Sequence, residues 1–144
     1  MKVTGSYQFD TTAAKVWGVL TDPKALAGCI PGCEGLEPVG NNEYKAVLSV
    51  GLGPIRGRYN ANISMRDQVP YQSYRLVVQG TGSTGFLNGE AVITLVEEGG
   101  KTTVRVDGDS QAGGPVAQVG QRIMDSVAKM MMDRFFGCLQ KAAR

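Results

Sequence analysis

Hydrophobic positions alternate with period two along most of the chain, and a helical period appears only after the first strand and again near the C-terminus. Val3, Tyr7 and Phe9 share one parity and predict a strand over residues 3–9. Asp10, Thr11 and Thr12 then offer N-cap side chains to a helix whose apolar positions Ala13, Val16, Trp17 and Leu20 fall at helical spacing. Asp22-Pro23 closes that helix and caps a second, short one near residues 23–28, with proline in the first turn, where its missing N–H is tolerated. Pro31-Gly32 predicts a turn.

A long run of strand signals follows. Residues 43–52 place Tyr44, Ala46, Leu48, Val50 and Leu52 on one face. Residues 55–66 place Ile55, Tyr59, Ile63 and Met65 on one face, with Gly57 and Ala61 between them. Arg56, Arg58, Asn60, Asn62, Ser64 and Arg66 take the other face, as in an antiparallel strand with one side in water. Gly53-Pro54 predicts a hairpin between these two strands. Residues 73–81, 86–97 and 101–110 complete the set, with Glu98-Gly99-Gly100-Lys101 as a tight turn.

From Pro115 to about Lys141 the period becomes helical, which predicts one helix about 40 Å long. Val116, Val119, Ile123, Met124, Val127, Met130, Met131 and Phe135 form one apolar arc. Gln118, Arg122, Asp125, Lys129 and Asp133 lie opposite, with Asp125–Lys129 and Lys129–Asp133 as i,i+4 pairs. Met132 and Phe136 fall off the arc and pack on a second element or meet a partner. The predicted order is a strand, two short helices, six further curved antiparallel strands and a long C-terminal helix. This is an α+β fold in which a seven-stranded sheet wraps one helix, as a single domain over residues 1–144.

Composition narrows the chemistry. The chain has 144 residues, 20 Gly and no His. Without His there is no Ser-His-Asp or Cys-His pair, and the commonest metal ligand is missing. Fifteen Lys and Arg against thirteen Asp and Glu leave +2, with the signs interspersed, so nucleic acid is not an expected partner. No apolar run is long enough to span a membrane, and residues 1–6 lack an apolar signal segment, which points to the cytoplasm. Cys29, Cys33 and Cys138 are too few for a zinc site and are expected as reduced thiols.

Two motifs invite chemistry. Gly80-x-Gly82-x-x-Gly85 matches the dinucleotide fingerprint in letters, but Phe86-Leu87-Asn88-Gly89-Glu90-Ala91-Val92-Ile93 follows as strand where the fingerprint needs a helix. The expected reading is a strand-to-strand loop. Glu90 is the one candidate general base: facing inward it would have a raised pKa, and facing outward it would pair with an Arg. The outward reading is preferred.

Met124, Met130, Met131 and Met132 concentrate four of the six Met on the last helix, opposite strand positions occupied by Gly57, Ala61, Gly89 and Ala91. Pliable side chains over small ones leave volume for an apolar ligand. The expected cavity residues are Leu48, Val50, Tyr59, Ile63 and Met65 from the sheet and Ile123, Met124, Val127 and Met131 from the helix.

The chain also resembles the family of the carbon monoxide dehydrogenase subunit CoxG, within the START-like helix-grip superfamily (SRPBCC). The resemblance rests on Val16-Trp17-Gly18-Val19-Leu20-Thr21-Asp22-Pro23 and on Leu26-Ala27-Gly28-Cys29-Ile30-Pro31-Gly32-Cys33-Glu34. Gly80 to Phe86, Val106-Asp107-Gly108-Asp109 with Gly113-Gly114, Gly120-Gln121-Arg122 and Phe135-Phe136 extend it over nearly the whole chain. It implies a helix-grip fold and a non-catalytic accessory protein of a carbon monoxide dehydrogenase-like molybdenum hydroxylase. It implies no resident cofactor; the bound molecule would be lipophilic, a lipid or in particular a quinone, whose carbonyl the Tyr59 hydroxyl would meet. It also implies recruitment to the inner face of the membrane. Many members continue past the last helix with an apolar or basic tail, whereas this chain stops at Arg144, which weighs against anchoring by this polypeptide itself.

The alternative is an adaptor with a filled interior, docking the hydroxylase through Met132, Phe136 and the Arg56, Arg58 and Arg66 face. A cyclase or hydrolase of the same fold is a third reading and would rest on Glu90 or a Tyr alone.

Overall fold

The computed structural model describes residues 2–52 and 55–143. Strand β1 (Lys2–Phe9) leads into helices α1 (Ala13–Leu20) and α2 (Pro23–Cys29), followed by β2 (Cys33–Gly40), β3 (Glu43–Leu52), β4 (Ile55–Val69), β5 (Ser73–Gly82), β6 (Gly85–Glu98) and β7 (Lys101–Gly113). A single 3-10 turn, Pro115–Val119, precedes the long helix α3 (Gln121–Ala142). The seven strands form one antiparallel sheet in the order β1-β7-β6-β5-β4-β3-β2. The predicted Gly53-Pro54 hairpin lies outside the described residues.

Both short helices begin as the sequence expects. The Thr12 side chain accepts from the Lys15 N–H at 3.4 Å, and Asp22 accepts from the Lys24 N–H at 3.0 Å with Pro23 next to it. Val16, Trp17 and Leu20 are buried, and Trp17 meets Tyr74 edge-on with ring centroids 5.6 Å apart. The inward parity of β4 also matches: Tyr59, Ala61, Ile63 and Met65 are all buried. Gly80 and Gly82 end β5 and Gly85 opens β6, so the fingerprint-like glycines serve a strand-to-strand turn. Gly85 has φ +126, and a Cβ there would run into the Gly113 carbonyl, so the turn requires glycine.

Three expectations need correction. β2 was not located by pattern, because it is an edge strand with mostly exposed residues and a Pro at position 38, so nothing enforces alternation. The C-terminal helix is not continuous from Pro115. Gly120, at φ 96, separates the 3-10 turn from α3, so Val116 and Val119 leave the helix and α3 is 22 residues, about 33 Å long. Asp125 does not pair with Lys129. It accepts from Gln121 Nε2 at 3.5 Å, and Lys129 bonds Asp133 at 3.5 Å.

The C-terminal half of α3 is held firmly against β1. Phe136 stacks on Tyr7 with centroids 4.4 Å apart, Leu139 is fully buried, and Gln140 Nε2 donates to the Gln8 carbonyl at 2.8 Å. The Tyr7 hydroxyl donates to Asp133 at 2.7 Å. Burial first, and then this carboxylate, hold the Tyr7 phenol well above its ordinary range, while the hydrogen bond holds Asp133 below its own. By contrast, residues 121–132 of α3 include no buried side chain.

Candidate functional site: an apolar cavity under the long helix

Cross-strand register explains where space opens. One row across the concave face runs Met65, Leu76, Ala91, Gly108, Val3, and the next runs Tyr44, Ile63, Val78, Gly89, Ser110. In both rows the side chains shrink toward β6 and β7. Above that shallow part of the sheet lie Met131, Met132 and Phe135 of α3. The result is a cavity of about 280 Å³ between sheet and helix. Gly108 cannot be enlarged to fill it, because a Cβ there would collide with the Ala91 side chain and the Glu90 carbonyl.

Leu26 of α2, Ile30 and Pro31 just beyond it and Leu36 of β2 close one end of the cavity. Two charged residues, Glu90 and Asp109, border the cavity but alternate with its inward-facing residues, and their carboxylates pair with cations: Glu90 with Arg75 Nε at 3.0 Å and Asp109 with Lys2 at 3.8 Å. Glu90 therefore takes the outward, Arg-paired arrangement. Tyr74 also lines the space, and burial pushes its phenol well above the ordinary range, so its hydroxyl stays protonated at neutral pH. A wall of this kind suits an apolar molecule. Among the described residues no three His, Cys, Asp or Glu are grouped to hold a metal ion. Among the same residues no helix is long and apolar enough to cross a membrane.

The structure brings some of the sequence-derived cavity residues together and separates others. Leu48, Ile63, Met65 and Met131 line the cavity. Val50 pairs with Gly57 near the far end of the sheet and does not reach it. Tyr59 is 3% exposed, but its ring lies over Gly82 and its hydroxyl is hydrogen-bonded to Thr84 Oγ1 at 2.6 Å, so it is not presented to a ligand there. Ile123, Met124 and Val127 of α3 are not among the residues that line the cavity. Ile123 is 38% exposed, and Met124 lines a separate cleft with Phe86 and Ala117.

Of the two arrangements expected for Met132 and Phe136, packing on a second element or meeting a partner, the structure shows packing. Phe136 is 4% exposed and Met132 is half-buried, and both help wall the cavity. The arginine face is also partly engaged: Arg58 makes a two-pronged bond to Glu34, 3.0 Å on each arm. Sequence reasoning missed the contributions of α2 and Leu36, for which no periodic signal exists. It also missed Leu76 and Val78, which the parity of residues 73–81 would have supplied.

The thiol expectation is overturned. Cys29 and Cys138 form a disulfide between α2 and α3, with Cα atoms 5.4 Å apart, and Cys33 alone is free. Cys29 and Cys33 are close in sequence, but they do not pair. The fold instead lays the end of α2 against α3, across a separation of 109 residues.

Comparison with known proteins places this geometry. The family of the carbon monoxide dehydrogenase subunit CoxG matches residues 5–144. A conserved protein from Geobacillus kaustophilus is 38% identical, with a TM-score of 0.96 over 99% of this chain and 95% of that one. The Zhui aromatase/cyclase from Streptomyces sp. R1128 is 13% identical, with a TM-score of 0.74 over 99% and 93% of the two chains. A START superfamily protein from Mycobacterium smegmatis, also 13% identical, has a TM-score of 0.72 over 99% and 96%. These last two likenesses concern the fold alone. No curated protein matches the chain.

Proposed function

Because the chain belongs to the family of the carbon monoxide dehydrogenase subunit CoxG, we propose that it is a non-catalytic accessory protein of a carbon monoxide dehydrogenase-like molybdenum hydroxylase. It carries a lipophilic molecule under α3. The observation that supports this is the cavity of about 280 Å³, walled by aliphatic, Met and aromatic side chains. Such a space binds through shape and apolar burial, at roughly 25 cal/mol per Å². A quinone is the favoured occupant, since a hydroxylase must pass on electrons, with a lipid as the alternative. Contact with the inner face of the membrane would then serve loading and unloading of that molecule. The Zhui aromatase/cyclase shows that the fold also serves enzymes. Here the candidate base Glu90 faces outward and is paired with Arg75, which supports the carrier over the catalyst.

Titration with the neutral fluorescent probe N-phenyl-1-naphthylamine, followed by displacement with a short-chain quinone, tests the reading. Saturable probe binding, displaced by the quinone and weakened at least tenfold in Ala91→Phe, is the expected result. Circular dichroism of the variant should match the wild type, because the new ring enters existing space. Absence of saturable binding, or equal binding by Ala91→Phe, would remove the cavity from the function.

A further inference from the structure

We propose that the Cys29–Cys138 disulfide is a reversible lock on the cavity, so that ligand exchange follows the thiol redox state of the surroundings. The inference rests on the ligand-carrying reading above and adds its regulation.

The disulfide joins the two helices that supply the cavity's non-sheet walls. Cys29 ends α2 between Leu26 and Ile30, both cavity residues, and Cys138 lies one turn beyond Phe135 of α3, also a cavity residue. The rest of the roof is loosely held. Residues 121–132 of α3 include no buried side chain, and Gly120 precedes them with φ 96. On either side of Cys138 along α3, Phe136 and Leu139 are buried in the core and hold the fold without the disulfide. Cleavage therefore frees the spacing of α2 and α3 without removing the packing that holds the fold. Two thiols in place of the disulfide remain small and apolar enough to stay in the interface.

The chemistry is thiol–disulfide exchange with a dithiol reductant. Cys29 is buried and Cys138 is half-buried, so the attacking thiolate reaches the Cys138 sulfur. A mixed disulfide forms there, and Cys29 leaves as a thiolate and takes a proton. The donor's second thiol then displaces Cys138, which is also protonated. The donor departs as its own disulfide, having supplied two electrons and two protons. Oxidation by a disulfide-bearing partner reverses each step.

Thiol counting and stopped-flow release of N-phenyl-1-naphthylamine test the lock. Oxidised protein should show one reactive thiol, Cys33, and reduced protein three. Probe release from the reduced protein should be at least tenfold faster, and Cys138→Ser should behave as permanently reduced. Cys33→Ser should keep the full difference between the two states. Amide hydrogen exchange over residues 121–132, which needs no ligand, should be faster after reduction while the exchange of β4 to β6 stays unchanged. Equal release rates together with equal exchange in both states would overturn the proposal. Failure of the probe to bind in either state, with exchange still redox-dependent, would instead count against the ligand reading and leave the lock standing.

Discussion

A homologous series of n-alkan-1-ols offers a direct measure of the cavity. Its volume of about 280 Å³ accommodates about nine water-sized groups at ~30 Å³ each. Each methylene moved from water into that space should contribute about 0.8 kcal/mol. At 1.4 kcal/mol per decade, this is roughly a fourfold gain in affinity per carbon. Competition against N-phenyl-1-naphthylamine, run from hexanol to tetradecanol, should therefore give a steep rise that flattens at about nine or ten carbons. Beyond that length, added methylenes stay in water or in the polar cleft between β1 and α3, lined by Lys2, Gln121, Asp125 and Lys129. Ala91→Phe, which fills part of the floor, should move the break to shorter chains by several carbons. A flat series would refute apolar burial as the source of binding. A rise that continues unbroken to tetradecanol would show that α3 opens well beyond the volume described here.

Phe136→Ala should cost about 3–5 kcal/mol in urea unfolding, since it removes a buried ring stacked on Tyr7; a loss under about 1 kcal/mol would mean that the ring is not core. Asp133 is held below the usual carboxylate range, first by the Tyr7 hydroxyl and then by Lys129, so its contribution is complete at neutral pH and disappears as pH falls through the lowered value. Tyr7→Phe should raise the Asp133 midpoint followed by carboxyl carbon NMR, and the stability difference between variant and wild type should narrow in acid; an unmoved midpoint would remove the hydrogen bond from the account.

Much of the fold was legible because short-range physics is written in short-range patterns. The Thr12 and Asp22 caps, the parity of β4 and the strand setting of Gly80, Gly82 and Gly85 all depend on neighbours within a few residues. The apolar arc read along α3 was misaligned: the buried residues of the helix are Phe136 and Leu139, outside that arc, because the helix docks through Phe136 on Tyr7 of β1. β2 was lost because an edge strand carrying Pro38 has no buried face to impose alternation. The helical period runs on through Gly120 in the sequence, and only its φ of 96 made it an end of the helix.

The site itself shows where sequence by itself stops. Composition alone determined that the chain has no His and hence no imidazole for catalysis or metal binding, and periodicity determined that a Met-rich helix covers a sheet with small residues on its concave face. Only the tertiary structure decided which of those residues share a space. Register set Gly89, Ala91, Gly108 and Ser110 side by side, and thereby made a volume that no single strand encodes. The course of α3 over the sheet left Ile123, Met124 and Val127 outside that volume, and Tyr59 is hydrogen-bonded to Thr84 instead of facing it. Packing of α2 on α3 joined Cys29 to Cys138 across 109 residues. Periodicity tells a side chain which face of its own element it occupies; what lies opposite depends on how distant elements dock, and that information is shared among all of them.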